Sequence, residues 1–124
     1  MEKEALERVM DALHAIRCGA VCPEEELHAQ IAHALEQAGI AFVHEARLAP
    51  RCRIDFLAGN IGIEIKKSRP ERAKLIAQLA RYAACDQVSQ LVVAAPRGVN
   101  LPDRIGGKRV TMLELEKLWG ICLP

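Results

Sequence analysis

At 124 residues the chain has the size of one domain, long enough for a single modest core and too short for two. Its apolar fraction of 51% comes from Ala, Leu, Ile and Val with no run near the roughly 18–20 residues of a membrane span, and aromatics at 3% are too few for a base-stacking single-strand binder. The net charge of +1 is unevenly spread: residues 1–45 carry three basic and nine acidic side chains, a balance of −6, and the remaining fourteen basic and seven acidic residues give +7, which suits one polyanion-facing region and a separate face for something else.

The acidic, amphipathic start Met1-Glu2-Lys3-Glu4-Ala5-Leu6-Glu7 is unlike a secretory signal, so a cytoplasmic chain without a membrane segment is expected. Leu6, Val9, Met10, Leu13 and Ile16 recur at helical spacing and predict a first helix over 2–17. Gly19-Ala20-Val21-Cys22-Pro23 breaks it, and Pro23 suits the first turn of a second helix over 23–38 that buries Leu27, Ile31, Ala34, Leu35 and Ala38 before Gly39 stops it. Residues 41–48 alternate loosely and read as a strand, followed by a turn at Pro50-Arg51. Ser68-Arg69-Pro70-Glu71 has the form of a capping box opening a helix over 68–87 that buries Ile76, Leu79, Ala80 and Ala83. Leu91-Val92-Val93-Ala94-Ala95 reads as a strand buried on both faces, 97–108 as a Gly- and Pro-rich loop, and Thr111-Met112-Leu113-Glu114 as a second capping box starting a last helix through Leu118. The five cysteines (Cys18, Cys22, Cys52, Cys85, Cys122) are odd in number and widely spaced, which favours reduced thiols over a disulfide framework, and nothing completes a zinc site after Cys18-x-x-x-Cys22. His14, His28, His33 and His44 are scattered; His28 sits near the candidate active face, and an ordinary surface or core histidine is the expected reading.

The stretch from Arg53 to Lys66 carries the most information. With period 2 it is two short strands joined by Gly59-Asn60, a dipeptide suited to a tight hairpin turn. If the loop is those two residues, Ala58 pairs with Ile61 and the ladder sets Asp55 opposite Glu64, with Lys66 on the same face as Glu64. Ile54, Phe56, Ile61, Ile63 and Ile65 then fall on the reverse, apolar face. Opposed like charges about 4.5–5.5 Å apart are destabilising, and a divalent cation relieves them. Mg²⁺ takes oxygen ligands and only one or two protein carboxylates, a demand that Asp55, Glu64 and the carbonyl of Ile65 fit. Lys66 is a compact charge suited to orienting or deprotonating a water and neutralising a phosphate. The element order is α-α-β-β-β-α-β-α, and the helical crossover should bring the buried strand parallel to the hairpin in a mixed sheet flanked by helices.

An Asp on one strand, a turn, then Glu64-Ile65-Lys66 on the next, followed by a helix and an apolar strand, resembles the PD-(D/E)xK nuclease superfamily, which includes restriction endonucleases, archaeal Holliday-junction resolvases and RecB-type exonucleases. The resemblance spans roughly residues 24–95, with Ile54 standing where the motif has Pro. It implies an α/β, restriction-endonuclease-like αβββαβ core, with an extra N-terminal helix and a C-terminal helix, in a single nuclease domain over 1–124: a helical extension (1–20), a catalytic core (24–95) and a C-terminal loop and helix (96–124). It also implies Asp55 and Glu64 as metal ligands, Lys66 as the catalytic lysine, and Mg²⁺ as the cofactor with Mn²⁺ tolerated. Gln78-Leu79-Ala80-Arg81-Tyr82 resembles the Gln-x-x-x-Tyr motif of the RecB-type and lambda-exonuclease branch; at i,i+4, Gln78 and Tyr82 share a helical face. Many members carry a glutamate on the helix before the first strand, a place matched by Glu26, with Glu45 and Glu36 as the other choices.

Arg47, Arg51, Arg53, Lys67, Arg69, Arg72, Lys74 and Arg81 surround these residues in sequence and suit contacts to DNA phosphates without base readout. The expected activity is metal-dependent hydrolysis of DNA phosphodiester bonds. The alternative is a catalytically silent or partner-dependent nucleic-acid-binding or protein-interaction subunit of the same fold. A homodimer through the first or last helix, and docking of the acidic N-terminal helix onto a larger replication, repair or mobile-element protein, are further expectations.

Overall fold

Alternation of apolar and polar residues around Gly59-Asn60 produces the expected hairpin: β2 (Cys52–Ala58) pairs antiparallel with β3 (Ile61–Ile65) in the register Ala58↔Ile61, Leu57↔Gly62, Phe56↔Ile63. The structure, a computed structural model, describes residues 2–17 and 23–119. Cys18, Cys22, Cys122 and the break expected at Gly19-Ala20-Val21 lie outside the described residues.

Two helices come first, α1 (Glu2–His14) and α2 (Glu24–Gln37), then β1 (Val43–Ala49), antiparallel to β2. After the hairpin, α3 (Arg72–Ala83) crosses over to β4 (Gln90–Ala95), which lies parallel to β3 as the crossover rule requires. The described strands form one mixed sheet in the order β1-β2-β3-β4-β6-β5, completed by β5 (Arg104–Ile105) and β6 (Lys108–Glu114), with α4 (Leu115–Trp119) at the end. This is an α/β fold with helices on both sheet faces. One core joins Leu6, Val9, Leu13 and Ile16 of the α1 segment and Leu27, Ile31 and Leu35 of α2 to Phe56, Ile61, Ile63 and Ile65. The other joins Leu75, Leu79, Tyr82 and Ala83 of α3 to Ile54, Leu91 and Val93. The apolar face of α1 is therefore core, not a free dimer surface. No helix among the described residues is long and apolar enough to cross a membrane.

Several elements depart from the expected pattern, each for a physical reason. Residues 97–108 are not all loop, and Thr111-Met112-Leu113-Glu114 caps no helix: Gly106 and Gly107, both at positive φ (59° and 78°), turn β5 into β6, and β6 pairs parallel with β4 from Arg109 to Glu114. Ladder hydrogen bonds to a buried neighbour outweigh one side-chain cap, and the last helix begins only at Leu115. Ser68 caps nothing either. Arg69 precedes Pro70, whose ring disfavours helical backbone there, so α3 starts at Arg72 with Glu71 as its N-cap and no side-chain cap bond. α3 also ends earlier than expected and is turned slightly: Tyr82 is buried, Ile76 only half-buried and Ala80 exposed. Ala38, expected inside, is exposed just past the end of α2, and α1 ends at His14, continuing through tight turns at Ala15 and Ile16.

The largest departure lies in β1 and β2. Period 2 would put Ile54 with Phe56, but Ile54 packs in the α3 core while Phe56 packs under α2. The partner strand does the same: the His44 ring stacks on Phe56 (centroids 4.6 Å apart), whereas Ala46, paired with Ile54, faces α3. The reversal takes place at Glu45, whose φ of 54° is left-handed, and at Asp55, which that register sets opposite it. Gly62 makes room for the result: a Cβ there would lie 2.6 Å from Ile54 Cδ1 and 3.0 Å from Leu91 Cδ2.

Candidate active site

Where the two cores meet, at the reversal point, the hairpin carboxylates come together. Extending the hairpin register one step sets Asp55 against Glu64. Asp55 Oδ2 accepts a hydrogen bond from the Ile65 amide at 2.8 Å, and Glu64 Oε1 lies 3.4 Å from the Asp55 amide that donates to it. The Ile65 N–H thus anchors Asp55. Lys66 Nζ stands 3.3 Å from Glu64 Oε2, held by continuation of the ladder through its own amide to the Ala94 carbonyl at 2.8 Å.

Glu64 is 5% exposed, and α3 supplies its remaining partners. The Tyr82 hydroxyl has one proton to donate, offered to Glu64 Oε1 or to the Arg53 carbonyl, each at 3.0 Å, and it accepts from Gln78 Nε2 at 3.0 Å. Gln78 and Tyr82 therefore reach Glu64 as a relay from the helix, with Tyr82 turned inward. Burial foremost, then the charge of Asp55, pushes the Glu64 carboxyl up to about 7, against the opposing pull of Lys66 and the Tyr82 hydrogen bond. Burial and the Glu64 charge likewise push the Tyr82 hydroxyl up, so it stays a neutral donor. A carboxyl in this state is about half protonated at neutral pH, and a nearby cation would displace that proton.

Two clefts adjoin this cluster. One, of about 550 Å³, is lined by Glu24, Glu25, His28, Ala29 and Ala32 of α2 with His44, Glu45 and Asp55. His28 Nδ1 lies 2.9 Å from His44 Nε2. With the proton on Nδ1 and donated to His44, His28 Nε2 is a bare lone pair, buried, without a hydrogen-bond partner among the described residues and 4.0 Å from Asp55 Oδ2. Metal-bound histidines show this arrangement, the far ring nitrogen fixed by a hydrogen bond. The other cleft, of about 370 Å³, is lined by Lys66, Pro70, Glu71, Lys74, Leu75, Ala77, Gln78 and Arg81 and is predominantly basic. Lys74 pairs with Glu71 at 3.5 Å, while Arg81 forms no ion pair among the described side chains.

Of the three glutamates weighed from sequence, Glu45 borders the Asp55 cleft, where it lies 3.9 Å from Arg53. Glu26 is exposed and lines neither cleft; on α2 it is Glu24 and Glu25 that do. Glu36 is exposed toward the other end of α2. Arg47 and Arg53 are exposed and paired directly across β1 and β2, and Lys67 and Arg69 are exposed on the segment before α3. His28, expected near the candidate face as an ordinary histidine, borders the Asp55 cleft, and His44 joins it there without a signal in the sequence. Cys52 and Cys85 are free and half-buried, Cys85 Sγ donates to the Arg81 carbonyl at 3.5 Å, and burial above all pushes the Cys52 thiol up.

Among the described residues, no three His, Cys, Asp or Glu side chains already converge as a closed metal cage. No family model, no curated protein and no solved structure matches the chain.

Proposed function

We propose that the chain is a Mg²⁺-dependent (Mn²⁺-tolerant) DNA nuclease of the PD-(D/E)xK type, its αβββαβ core being α2, β1–β3, α3 and β4. The observation that carries the reading is the buried Glu64: it is opposed to Asp55, paired with Lys66 at 3.3 Å and held by the Gln78–Tyr82 relay, all at one end of a hairpin. The donor set fits a hard divalent cation. Asp55 and Glu64 supply the one or two carboxylates such an ion takes, and Glu64 is pushed up by burial in a way a cation would reverse. Asp55 and Glu64, with the Ile65 carbonyl, would hold the ion, and a bound Mg²⁺ would supply charge for the phosphate and a more acidic water.

The residues of the chain do the rest. Lys66 lies between the carboxylates and the basic cleft, where its ammonium neutralises a phosphate and orients the attacking water. Arg81 and Lys74 line the same cleft and seat the strand through its phosphates. Tyr82 and Gln78 are positioning residues that fix the Glu64 carboxyl.

The test is cleavage of linear duplex, single strand, nicked circle and four-way junction with Mg²⁺, Mn²⁺ or EDTA. Wild type should cut at least one substrate in a metal-dependent manner, and Lys66→Ala should lose at least about a hundredfold in rate, the scale of a positioned charge or proton-transfer group. Undiminished cutting by Lys66→Ala would refute the site. Binding without any cutting would instead favour the silent, partner-dependent subunit.

A further inference from the structure

We infer that Lys3, Arg104 and Arg109 form a second anion site, taking a backbone phosphate of nucleic acid outside the carboxylate site; this rests on the nucleic-acid reading above. Arg104 and Arg109 pair directly across β5 and β6. Their neighbours Ile105 and Val110 pack into the α3 core, so by strand alternation both arginines project from the opposite face, the one that α1 covers. There Lys3 joins them in a cleft of about 280 Å³ whose remaining lining is Ser89 and Gln90. Among the described residues no carboxylate lines it. Lys3 and Arg109 form no ion pair among the described side chains, and Arg104 bonds only the Gly107 carbonyl at 3.2 Å. Like charges set directly opposite destabilise a strand pair, and three cations with no counter-charge leave a deficit that an anion fills. Guanidinium forks match phosphate oxygens in two-point hydrogen bonding, and the polar floor adds neutral groups.

The position is distinct from the hairpin site. Glu64 is paired with Val93, three residues beyond Gln90 on β4, a rise of roughly 10 Å, and β5 lies three strands from β3, roughly 14 Å across. The two sites are thus about 17 Å apart, the length of about five base pairs. A long duplex or a second strand segment reaches both; a short oligonucleotide does not.

The experiment is fluorescence anisotropy with a 24-base-pair duplex in EDTA at several salt concentrations, comparing wild type, Arg104→Gln/Arg109→Gln and the surface variant Lys3→Gln, with Arg97→Gln as control and circular dichroism to verify folding. Each lost phosphate contact lowers the slope of log affinity against log salt by about 0.9. The expected result is a slope smaller by about 2 in the double variant and about 1 in Lys3→Gln, with the control unchanged. Equal slopes in all four proteins would overturn the inference while leaving the nuclease reading to stand or fall on its own cleavage test. Inorganic pyrophosphate is the second probe. If the double variant loses pyrophosphate binding by calorimetry but keeps wild-type affinity for the duplex, the site takes a small phosphate and the nucleic-acid assignment is overturned. Absence of duplex binding by wild type would likewise overturn the inference, with the nuclease reading still decided by metal-dependent cleavage of the four substrates.

Discussion

At the scale of single residues, Glu64 sets the chemistry because its surroundings favour the neutral form. In the unfolded chain its carboxyl titrates near 4.5; in the fold it is pushed up to about 7. Below pH 4.5 both states hold the proton. Between 4.5 and 7 the folded state keeps a proton that the unfolded state releases, so stability falls as pH rises and levels off above 7. The contribution lost is on the order of 3 kcal/mol at most. Glu64→Gln carries no such proton. In EDTA, its unfolding free energy relative to wild type should therefore grow between pH 5 and pH 8, read from urea titrations at each pH. A difference that stays flat would mean that burial and Asp55 do not perturb Glu64. If Glu64 holds the proposed cation, the same linkage should make cation affinity rise with pH through 7, because the ion would displace that proton. His28 was hard to see at this scale: a histidine on an amphipathic helix is unremarkable until its Nε2 is found facing a carboxylate across 4.0 Å.

At the scale of elements, what was legible followed from local periodicity, and what was not came from contacts between distant segments. The hairpin could be read because Gly59-Asn60 and the flanking alternation agree, and Gln78 and Tyr82 meet because four residues are about one helical turn. Thr111-Met112-Leu113-Glu114 misleads because a cap and a strand end share residue types, and only β4 decides between them. Ile54 changes face for a reason written opposite it, in the left-handed backbone of Glu45. Holding a non-glycine residue there costs about 1–3 kcal/mol and is typical of functional sites. Gly62 is the element-level test. A methyl group at this position meets Ile54 Cδ1 at 2.6 Å, so Gly62→Ala should destabilise by about 1–3 kcal/mol through overpacking. Because Ile54 adjoins Asp55 in sequence, cleavage should fall by more than the lost folded fraction explains. Thermal unfolding alongside a cleavage rate separates the two, and a variant with wild-type stability would show that Ile54 repacks freely.

For the whole molecule, the two cores divide stability unevenly. Every residue of β3 and β4 is buried, in the centre of the sheet between helices on both sides, whereas β5 is two residues long and lies at an edge. Amide hydrogen exchange should therefore be slowest in Ile61–Ile65 and Gln90–Ala95 and faster by orders of magnitude in Arg104–Ile105. Comparable rates in both would mean that the sheet opens as one unit. Lys66 continues the β3–β4 ladder, so the cluster rests on the buried centre of the sheet. The mixed sheet and the flanking helices were foreseeable from element order; the length of the sheet was not, because β5 is too short to show a period.

The other edge of the sheet is β1, seven residues long and with no described strand on its outer side. A strand of that length would normally invite a neighbouring chain to zip onto its free amides and carbonyls. The left-handed turn of backbone at Glu45 and the register shift between Arg47 and Ala49 break that row into short, misaligned pieces. The distortion that brings Asp55 to the meeting point of the two cores therefore also guards the chain against aggregation, and smoothing β1 into a regular strand would surrender both.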